Sequence, residues 1–452
     1  MNIIVVGCGK IGTTVLASLV AEGHNVTAID YNEAALSALF NVYDVMTVCG
    51  LATDYETLAQ AGADKTDLFV ATTGSDELNM LSCFLAKRMG AGHTIARIRN
   101  PEYSERSLSF AKQQLGLSMA INPERLAARE LLHILRLPSA VKIETFSRRN
   151  FEMVELILKD TSPLVGVPLN QLRARYRAKF LVCAVQRDGQ VYIPDGNFVL
   201  QGGDKIGLTA APAEFHKLLR AQGITNKQAR NVMILGGSRT GYYLAKMLTA
   251  AGSDVKIIES DRRLCEELCE SLPKAVVIHG DGAQQELLLE EGLQNMDAFV
   301  SLTGLDEENI LLSCFAASQN VPKVISKVNR DELGQLAQRL GLECIVSPRK
   351  LIADVLTQYA RALQNSVGSS VETLYKLMDD GAEALEFNVR KDARVIGIPL
   401  RDMKLKPHVL IAGIIRGRES IIPAGDDVIL PDDRVVVIAA GQRLQDLNDI
   451  MK

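Results

Sequence analysis

The chain has 452 residues, 47% of them hydrophobic and 23% charged, with a net charge of −4 and no tryptophan. That length exceeds one ordinary core and predicts roughly two to four domains. Mild acidity argues against a nucleic-acid partner, which would need a basic stripe, and no apolar run reaches the ~18 residues that cross a bilayer.

The apolar start, Met1-Asn2-Ile3-Ile4-Val5-Val6, is too short and uncharged for a signal peptide and predicts a first strand. It runs into Gly7-Cys8-Gly9-Lys10-Ile11-Gly12, a dinucleotide-binding fingerprint that opens an amphipathic helix. The first glycine permits the tight turn, the second lets a phosphate approach the backbone, and the third lets helix and strand pack closely. Free N–H groups and the helix dipole favour an anion at that point. Asp30 ends the next strand, where an acid accepts hydrogen bonds from ribose hydroxyls and repels a 2′-phosphate, favouring NAD over NADP. The alternative is that Asp30 only opens the Asp30-Tyr31-Asn32 turn.

Thr72-Thr73-Gly74-Ser75-Asp76-Glu77 lies just past the fourth strand, at the crevice edge of a doubly wound sheet. Backbone contact from Thr73 and Gly74 with a ligand is expected, and Asp76 reads as the N-cap of the next helix. Arg97 and Arg99 alternate on a strand-like segment, which puts two cations on one face. Pro123 then opens a helix, ERLAARELLHIL. Short β-rich runs broken by Gly, Pro and Asp follow, as in small strands and tight turns.

After a polar segment, Gly223–Arg230, which reads as a linker, the whole pattern is written again. Gly7 corresponds to Gly236, Gly12 to Gly241, Gly23 to Gly252 and Asp30 to Glu259. In the second fingerprint, Gly236-Gly237-Ser238-Arg239-Thr240-Gly241, Ser238 stands where the second glycine should be, and its Cβ is expected to restrict the turn. A degenerate, purely structural second site is therefore an alternative. Lys10 and Arg239 match each other and could reach a phosphate that extends beyond its own pocket. Thr303, Gly304 and Asp306 repeat the Thr73 region, with Asp306 as the matching cap. Lys327 and Asn329 replace Arg97 and Arg99. Pro348 opens a helix whose Ile352, Val355, Leu356 and Tyr359 form a stripe, suited either to subunit contact or to burial within one domain.

The fold class is therefore α/β: two Rossmann-like doubly wound parallel sheets, each followed by a small β-rich α+β domain. The expected domains are residues 1–137, 138–222, 230–364 and 371–452. No catalytic constellation such as GxSxG or HExxH occurs. The small domains carry only His216 and His408, neither with an obvious carboxylate partner. The eight cysteines include no CxxC pair, and Cys265 and Cys269, one helical turn apart, lack further metal ligands. They read as free thiols of a reducing cytosol.

GCGKIG with Asp30, ATTGSDELN, ARIRNPEY, the GVPL and GIPL elements and the IPDGNFVLQGGD and IPAGDDVILPDD turns together resemble the TrkA family of peripheral potassium-uptake regulators, built from tandem RCK or KTN domains. The resemblance covers essentially the whole chain. It implies regulatory binding of NAD(H) or ATP/ADP. Gly7, Cys8, Gly9, Lys10 and Ile11 would hold phosphates, Asp30 the ribose, and Thr73, Gly74 and Arg97 would complete the first pocket. The loop from Gly236 with Glu259 would form the second. It implies a cation near Glu124 in related members, although Arg349 stands at the matching place. Leu51 also departs from the pattern kept at Gly280-Asp281. It implies, further, a homo-oligomer, a tetramer, at the cytoplasmic inner face of the membrane, docked on an integral potassium translocator of the TrkH type. The competing reading is an NAD-dependent oxidoreductase.

Overall fold

The computed structural model describes every residue except 102, 104, 138–139, 147–150, 177, 212–213, 216, 219–227, 366–370 and 445. His216 and most of the expected linker at 223–230 therefore lie outside the described residues.

In the first half, β1 (Asn2–Val6), α1 (Lys10–Ala21), β2 (Asn25–Asp30), α2 (Glu33–Phe40), β3 (Met46–Cys49), α3 (Tyr55–Gln60), β4 (Leu68–Ala71), α4 (Asp76–Met89), β5 (His93–Arg97), α5 (Glu105–Leu115) and β6 (Met119–Ile121) alternate. The strands form one parallel sheet in the order 3-2-1-4-5-6. Successive residues of β1 enter opposite cores: Ile3 and Val5 pack with Leu16 and Leu19, Ile4 and Val6 with Leu58 and Cys83. Both faces are thus covered, which is why these strands read as continuous apolar runs. The strand order reverses between β1 and β4, and this leaves a crevice at their carboxyl ends.

After α6 (Pro123–Arg136) come β7 (Lys142–Phe146), β8 (Phe151–Ile157), α7 (Leu169–Tyr176), β9 (Phe180–Arg187), β10 (Gln190–Tyr192) and β11 (Lys205–Ala210), an antiparallel sheet in the order 10-9-11-8-7. The second half repeats the plan. Its parallel sheet contains β12 (Asn231–Leu235), β13 (Asp254–Glu259), β14 (Val276–His279), β15 (Ala298–Ser301), β16 (Lys323–Lys327) and β17 (Cys344–Val346), ordered 14-13-12-15-16-17. Between them run α8 (Arg239–Ala250), α9 (Arg262–Ser271), α10 (Gln285–Glu290), α11 (Asp306–Ser318) and α12 (Asp331–Arg339). α13 (Pro348–Asn365) leads to the last antiparallel sheet, of β18 (Val371–Leu377), β19 (Ala382–Asn388), β20 (Val409–Arg416), β21 (Glu419–Ile421) and β22 (Arg434–Ala440).

The halves exchange helices. α6, written after the first parallel sheet, lays Ala127, Ala128, Leu131 and Leu135 on Leu244, Ala245 and Leu248 of α8 in the second. α13 does the reverse and buries Ile352, Ala353, Leu356 and Ala360 against Leu16 and Leu19 of α1. The stripe that includes Val355 and Tyr359 is therefore satisfied across the halves of one chain. This corrects both expectations for it, because each helix crosses over before it finds an apolar groove. Arg361 fastens the crossing: its guanidinium donates to Glu22 at 2.7 and 2.8 Å and to Glu383 at 3.1 and 3.3 Å.

The two small sheets also meet face to face. Phe146, Phe151, Cys183 and Ala184 pack against Ala384, Ala412, Val436 and Ile438. At Gly413 a side chain would collide with the Phe151 ring, so the small residue sets the spacing there. Each small sheet carries the same internal clamp. Arg187 forks onto Asp204 with both bonds at 2.7 Å, and Arg416 forks onto Asp433 with both at 2.8 Å. A bidentate guanidinium–carboxylate pair on a nearly buried acid is among the stronger polar contacts, and it holds the turn that the repeated Gly/Asp-rich segments predict.

Candidate functional site

The first Gly-rich loop sits at the sheet's crevice because β1 must end there. Gly7 has φ +85, and a side chain on it would press on the Thr73 backbone, so β1 and β4 approach closely only with glycine at that point. A Cβ on Gly12 would fall on the Gly7 carbonyl oxygen, which fixes the close packing of α1 on β1. Gly9, the N-cap of α1, differs from both. Its φ is −72, and an added Cβ would meet nothing within 4 Å. Nothing in the fold demands glycine at 9; the open space above it is where an incoming group would lie.

Asp30, at the end of β2, accepts the Cys8 N–H at 2.6 Å and the Asn32 N–H at 2.9 Å. It thus opens the turn and also ties β2 to the Gly-rich loop. Burial, and next the Asp30 charge, push the Cys8 thiol up to about 12. Cys8 is therefore a filler rather than a nucleophile.

Asp76 does not cap α4. Ser75 does, accepting the Leu78 N–H at 3.1 Å, while Asp76 reaches over and accepts the Arg99 and Asn100 N–H groups at 2.8 and 2.7 Å. Asp306 behaves the same way toward Asn329 and Arg330, both at 3.0 Å. Both acids sit one residue too deep in the helix for the cap expected from sequence, and they serve to tie the loop after the fifth strand. Sequence reasoning also missed Asn79, fully buried, whose Oδ1 accepts the Thr73 N–H at 2.8 Å and whose Nδ2 donates to the Arg97 carbonyl at 2.9 Å. Asn309 repeats this on Thr303 and Lys327. The signal was present: SDELN and LDEEN place both asparagines at matching positions.

These elements enclose a cavity of about 900 Å³. Its walls include Gly7 to Ile11, Asp30, Thr73, Gly74 and Arg97. Gly12 lies behind the wall. Part of the wall comes from the other half: Ser238, Arg239 and Thr240 of the second loop, with Lys327, Asn329 and Arg349. Arg239 thus lines the first cavity from the other half of the same chain. Arg97 is buried, donates from Nη1 to the Thr73 carbonyl at 3.2 Å, and has no partner for its Nε among the described residues. Burial, then the Arg99 charge, lowers its pKa. Arg99 pairs with Glu124, Nε to Oε1 at 2.7 Å, and Glu124 Oε2 is buried without a partner among the described residues.

The second loop has a tighter surround. Glu259 accepts the Gly237 N–H at 2.6 Å and the Asp261 N–H at 2.8 Å, matching Asp30. Leu268 lies where a side chain on Gly237 would go, 2.5 Å from its ideal Cβ. Gly236 has φ +96, and Gly241 faces the Gly236 carbonyl as Gly12 faces that of Gly7. Ser238 has φ −53 and donates to the Leu302 carbonyl at 3.3 Å. The expectation that Ser238 strains the turn is therefore corrected, since this φ suits any residue. Gly236, Gly237, Gly241 and Glu259 stay outside the walls of the first cavity.

The TrkA-N domain profile matches residues 3–123 and 232–348, and the TrkA-C domain profile matches residues 153–223 and 384–452. The chain is 30% identical over 453 residues to a Trk system potassium uptake protein TrkA homolog of Archaeoglobus fulgidus, with 100% of both chains covered. It is 32% identical to the Trk system potassium uptake protein TrkA of Vibrio alginolyticus, covering 98% of this chain and 96% of that one. Among solved structures, the GsuK channel bound to NAD is similar at TM-score 0.64 with 18% identity, covering 97% of this chain and 77% of that chain. At that identity the structural match speaks to fold, and the sequence matches speak to family. The chain belongs to the TrkA family.

Proposed function

We propose that this chain is a nucleotide-sensing regulatory subunit of a potassium uptake system and not an enzyme. The observation that carries this reading is the cavity shared between the two halves. One Gly-rich loop, its ribose-facing acid and a cation from the other loop converge on it. The relatives matched along their whole length are named as potassium uptake proteins. An adenine nucleotide, NAD(H) or ATP/ADP, suits the walls: Gly7 to Ile11 for phosphate, Asp30 for ribose, Thr73, Gly74 and Arg97 to close the pocket. Gly236 to Gly241 with Glu259 form a second, weaker site. The working units are residues 1–137, 138–222, 230–364 and 371–452.

The partner in this reading is an integral membrane potassium translocator of the TrkH type, reached from the cytoplasmic face; no helix among the described residues is long and apolar enough to cross a membrane. Assembly into a tetrameric ring has support on the outer surface. Leu81 and Phe110 on α4 and α5 are exposed, and so are Leu311, Leu336 and Leu340 in and just after α11 and α12, the matching elements of the other half. Two equivalent apolar faces on opposite halves suit repeated head-to-tail contact.

Calorimetric titration with NAD, NADH, NADPH, ATP and ADP tests the ligand, and an absorbance assay tests turnover. Binding of the unphosphorylated ribose forms is expected, and Asp30→Ala should weaken it by about 1–3 kcal/mol. NADPH binding above NADH would remove the role of Asp30, and steady NADH consumption would restore the oxidoreductase.

A further inference from the structure

The two helix crossings are pinned by different chemistry. Beyond α6, the Ala140 carbonyl accepts from Lys323, the first residue of β16, at 2.7 Å. The matching residue of the first sheet is His93, since His93 pairs with Leu68 as Lys323 pairs with Ala298. Its Nδ1 lies 3.1 Å from the Tyr359 hydroxyl of α13 and 3.3 Å from that of Ser118.

The turn from α1 into β2 differs in the same way. Gly23-His24 corresponds to Gly252-Ser253, and both second residues return their N–H to the preceding helix, His24 to Leu19 at 3.2 Å and Ser253 to Leu248 at 3.0 Å. The Ser253 hydroxyl is satisfied, donating to the Ala229 carbonyl at 3.1 Å. His24 is 7% exposed, and its Nε2 is buried without a partner among the described residues. The same turn accepts serine in the other half, so the backbone does not demand an imidazole here.

His24 sits where three parts of the chain meet. Arg361 of α13 is bound to Glu22 and Glu383, and Arg443, just past β22, donates to the Ala21 carbonyl at 2.8 Å. Burial, and next the amino group of Met1, lower the His24 pKa; Arg361 and Arg443 act in the same direction and Glu22 opposes them. Glu22 is already committed to the Arg361 guanidinium at 2.7 and 2.8 Å. A proton on His24 would therefore put a charge into buried ground, beside cations whose counter-charges are taken.

We propose that His24 is a proton switch on the α13 crossing: neutral, it lets α1, α13 and the last small domain close on one another, and charged, it drives them apart. The switch stands whatever fills the first cavity, and α1 links the two places, since it begins in the first Gly-rich loop and ends at this junction. The folded state holds this proton more weakly than the unfolded chain does. The stability that His24 contributes is thus complete above about pH 6.5 and is lost as pH falls below it toward the folded value. His93, lowered by burial and then by Lys87, acts in the same direction, whereas Asp354 of α13 and Glu130 of α6, both raised chiefly by burial, act in the opposite one.

The test compares variants, so that these other groups cancel. Hydrogen–deuterium exchange on the full-length protein, expressed as protection factors, follows α13 and α6 from about pH 7.5 to about pH 5.5 in the wild type, His24→Ser, His93→Asn and Arg443→Gln. Opening of α13 in the wild type relative to His24→Ser should rise severalfold on acidification, by no more than about tenfold per pH unit. The same ratio for α6 should stay within about twofold. Arg443→Gln removes an exposed cation from beside His24 and should blunt the rise. A wild-type to His24→Ser ratio that stays flat would overturn the switch, and so would a rise that His93→Asn abolishes and His24→Ser leaves intact. If His24→Ser is poorly folded even at about pH 7.5, Arg443→Gln decides, and an acid response equal to that of the wild type would overturn the proposal.

Discussion

Three glycines of the first fingerprint look alike in the sequence and do different work in the structure. Gly7 and Gly12 are demanded by the fold, one by its φ and the Thr73 backbone, the other by the Gly7 carbonyl. Gly9 is demanded by neither. Gly9→Ala should therefore leave the melting temperature unchanged or raise stability by about 0.4–1 kcal/mol, while weakening nucleotide binding. Gly12→Ala should destabilise by about 1–3 kcal/mol. Thermal melts run beside titrations separate the two, and equal loss of stability from both would show that Gly9 is structural. The loop, Asp30 and Arg97 were legible because spacing alone places them at a strand end. The roles of Asp76 and Ser75 were not, because neighbouring residues in Ser-Asp both have capping chemistry and only backbone geometry decides which of them caps. The contributions of Lys327 and Arg349 to the first cavity were illegible for another reason: they lie more than two hundred residues away in the chain.

At the scale of elements, periodicity identified the apolar stripe of α13 but could not say what it covers. A stripe states that a groove exists; the partner is set by the direction in which the chain leaves the sheet. Here it leaves across the molecule. The seam this creates gathers charge. Glu130 on α6 lines a cavity of about 320 Å³ that also meets Lys142 of β7, Glu155 of β8, Lys205 of β11, Arg330 and Asp331 at the start of α12, Glu343, and Lys350 and Asp354 of α13. Lys376, Asp379 and Asp380 close it from the last sheet. Burial, then the Glu144 charge, raises Glu130 to about 8, and burial raises Asp354 as well. An acid whose folded pKa is raised holds its proton more tightly when folded, so its contribution is complete below the ordinary carboxylate range and is lost as pH rises toward 8. Urea unfolding should show stability falling between about pH 5 and 8, by no more than about 1.4 kcal/mol per pH unit from this one group. Glu130→Gln should flatten the slope, and an unchanged slope would assign the pH dependence elsewhere.

At the scale of the whole molecule, the duplication was the most legible feature, and the pairing of the halves the least. The repeat predicts two similar halves; it does not predict that they share a cavity and exchange helices, since those depend on contacts between distant segments. The matching exposed apolar faces at Leu81/Phe110 and Leu311/Leu336/Leu340 lead to a further expectation. Leu311→Asp should shift the assembled protein toward smaller species in sedimentation velocity without changing the melting temperature, because Leu311 is 68% exposed and contributes little to its own core. An unchanged sedimentation profile would show that these faces carry no contact between copies. A ligand can drive such an assembly only by binding one arrangement of it better than another. In the proposed reading, a phosphate gripped by the first loop and by Arg239 of the second would supply that difference, because moving the halves apart would break one of the two grips.

The most direct measurement is potassium flux through the partner translocator reconstituted with this protein, with and without nucleotide, for the wild type and for Lys10→Ala/Arg239→Ala. A coupling of about 1–3 kcal/mol predicts a several-fold or larger change in flux on adding nucleotide to the wild type, and its loss in the double variant. A nucleotide response that is identical in both proteins, or absent from the wild type, would contradict the account.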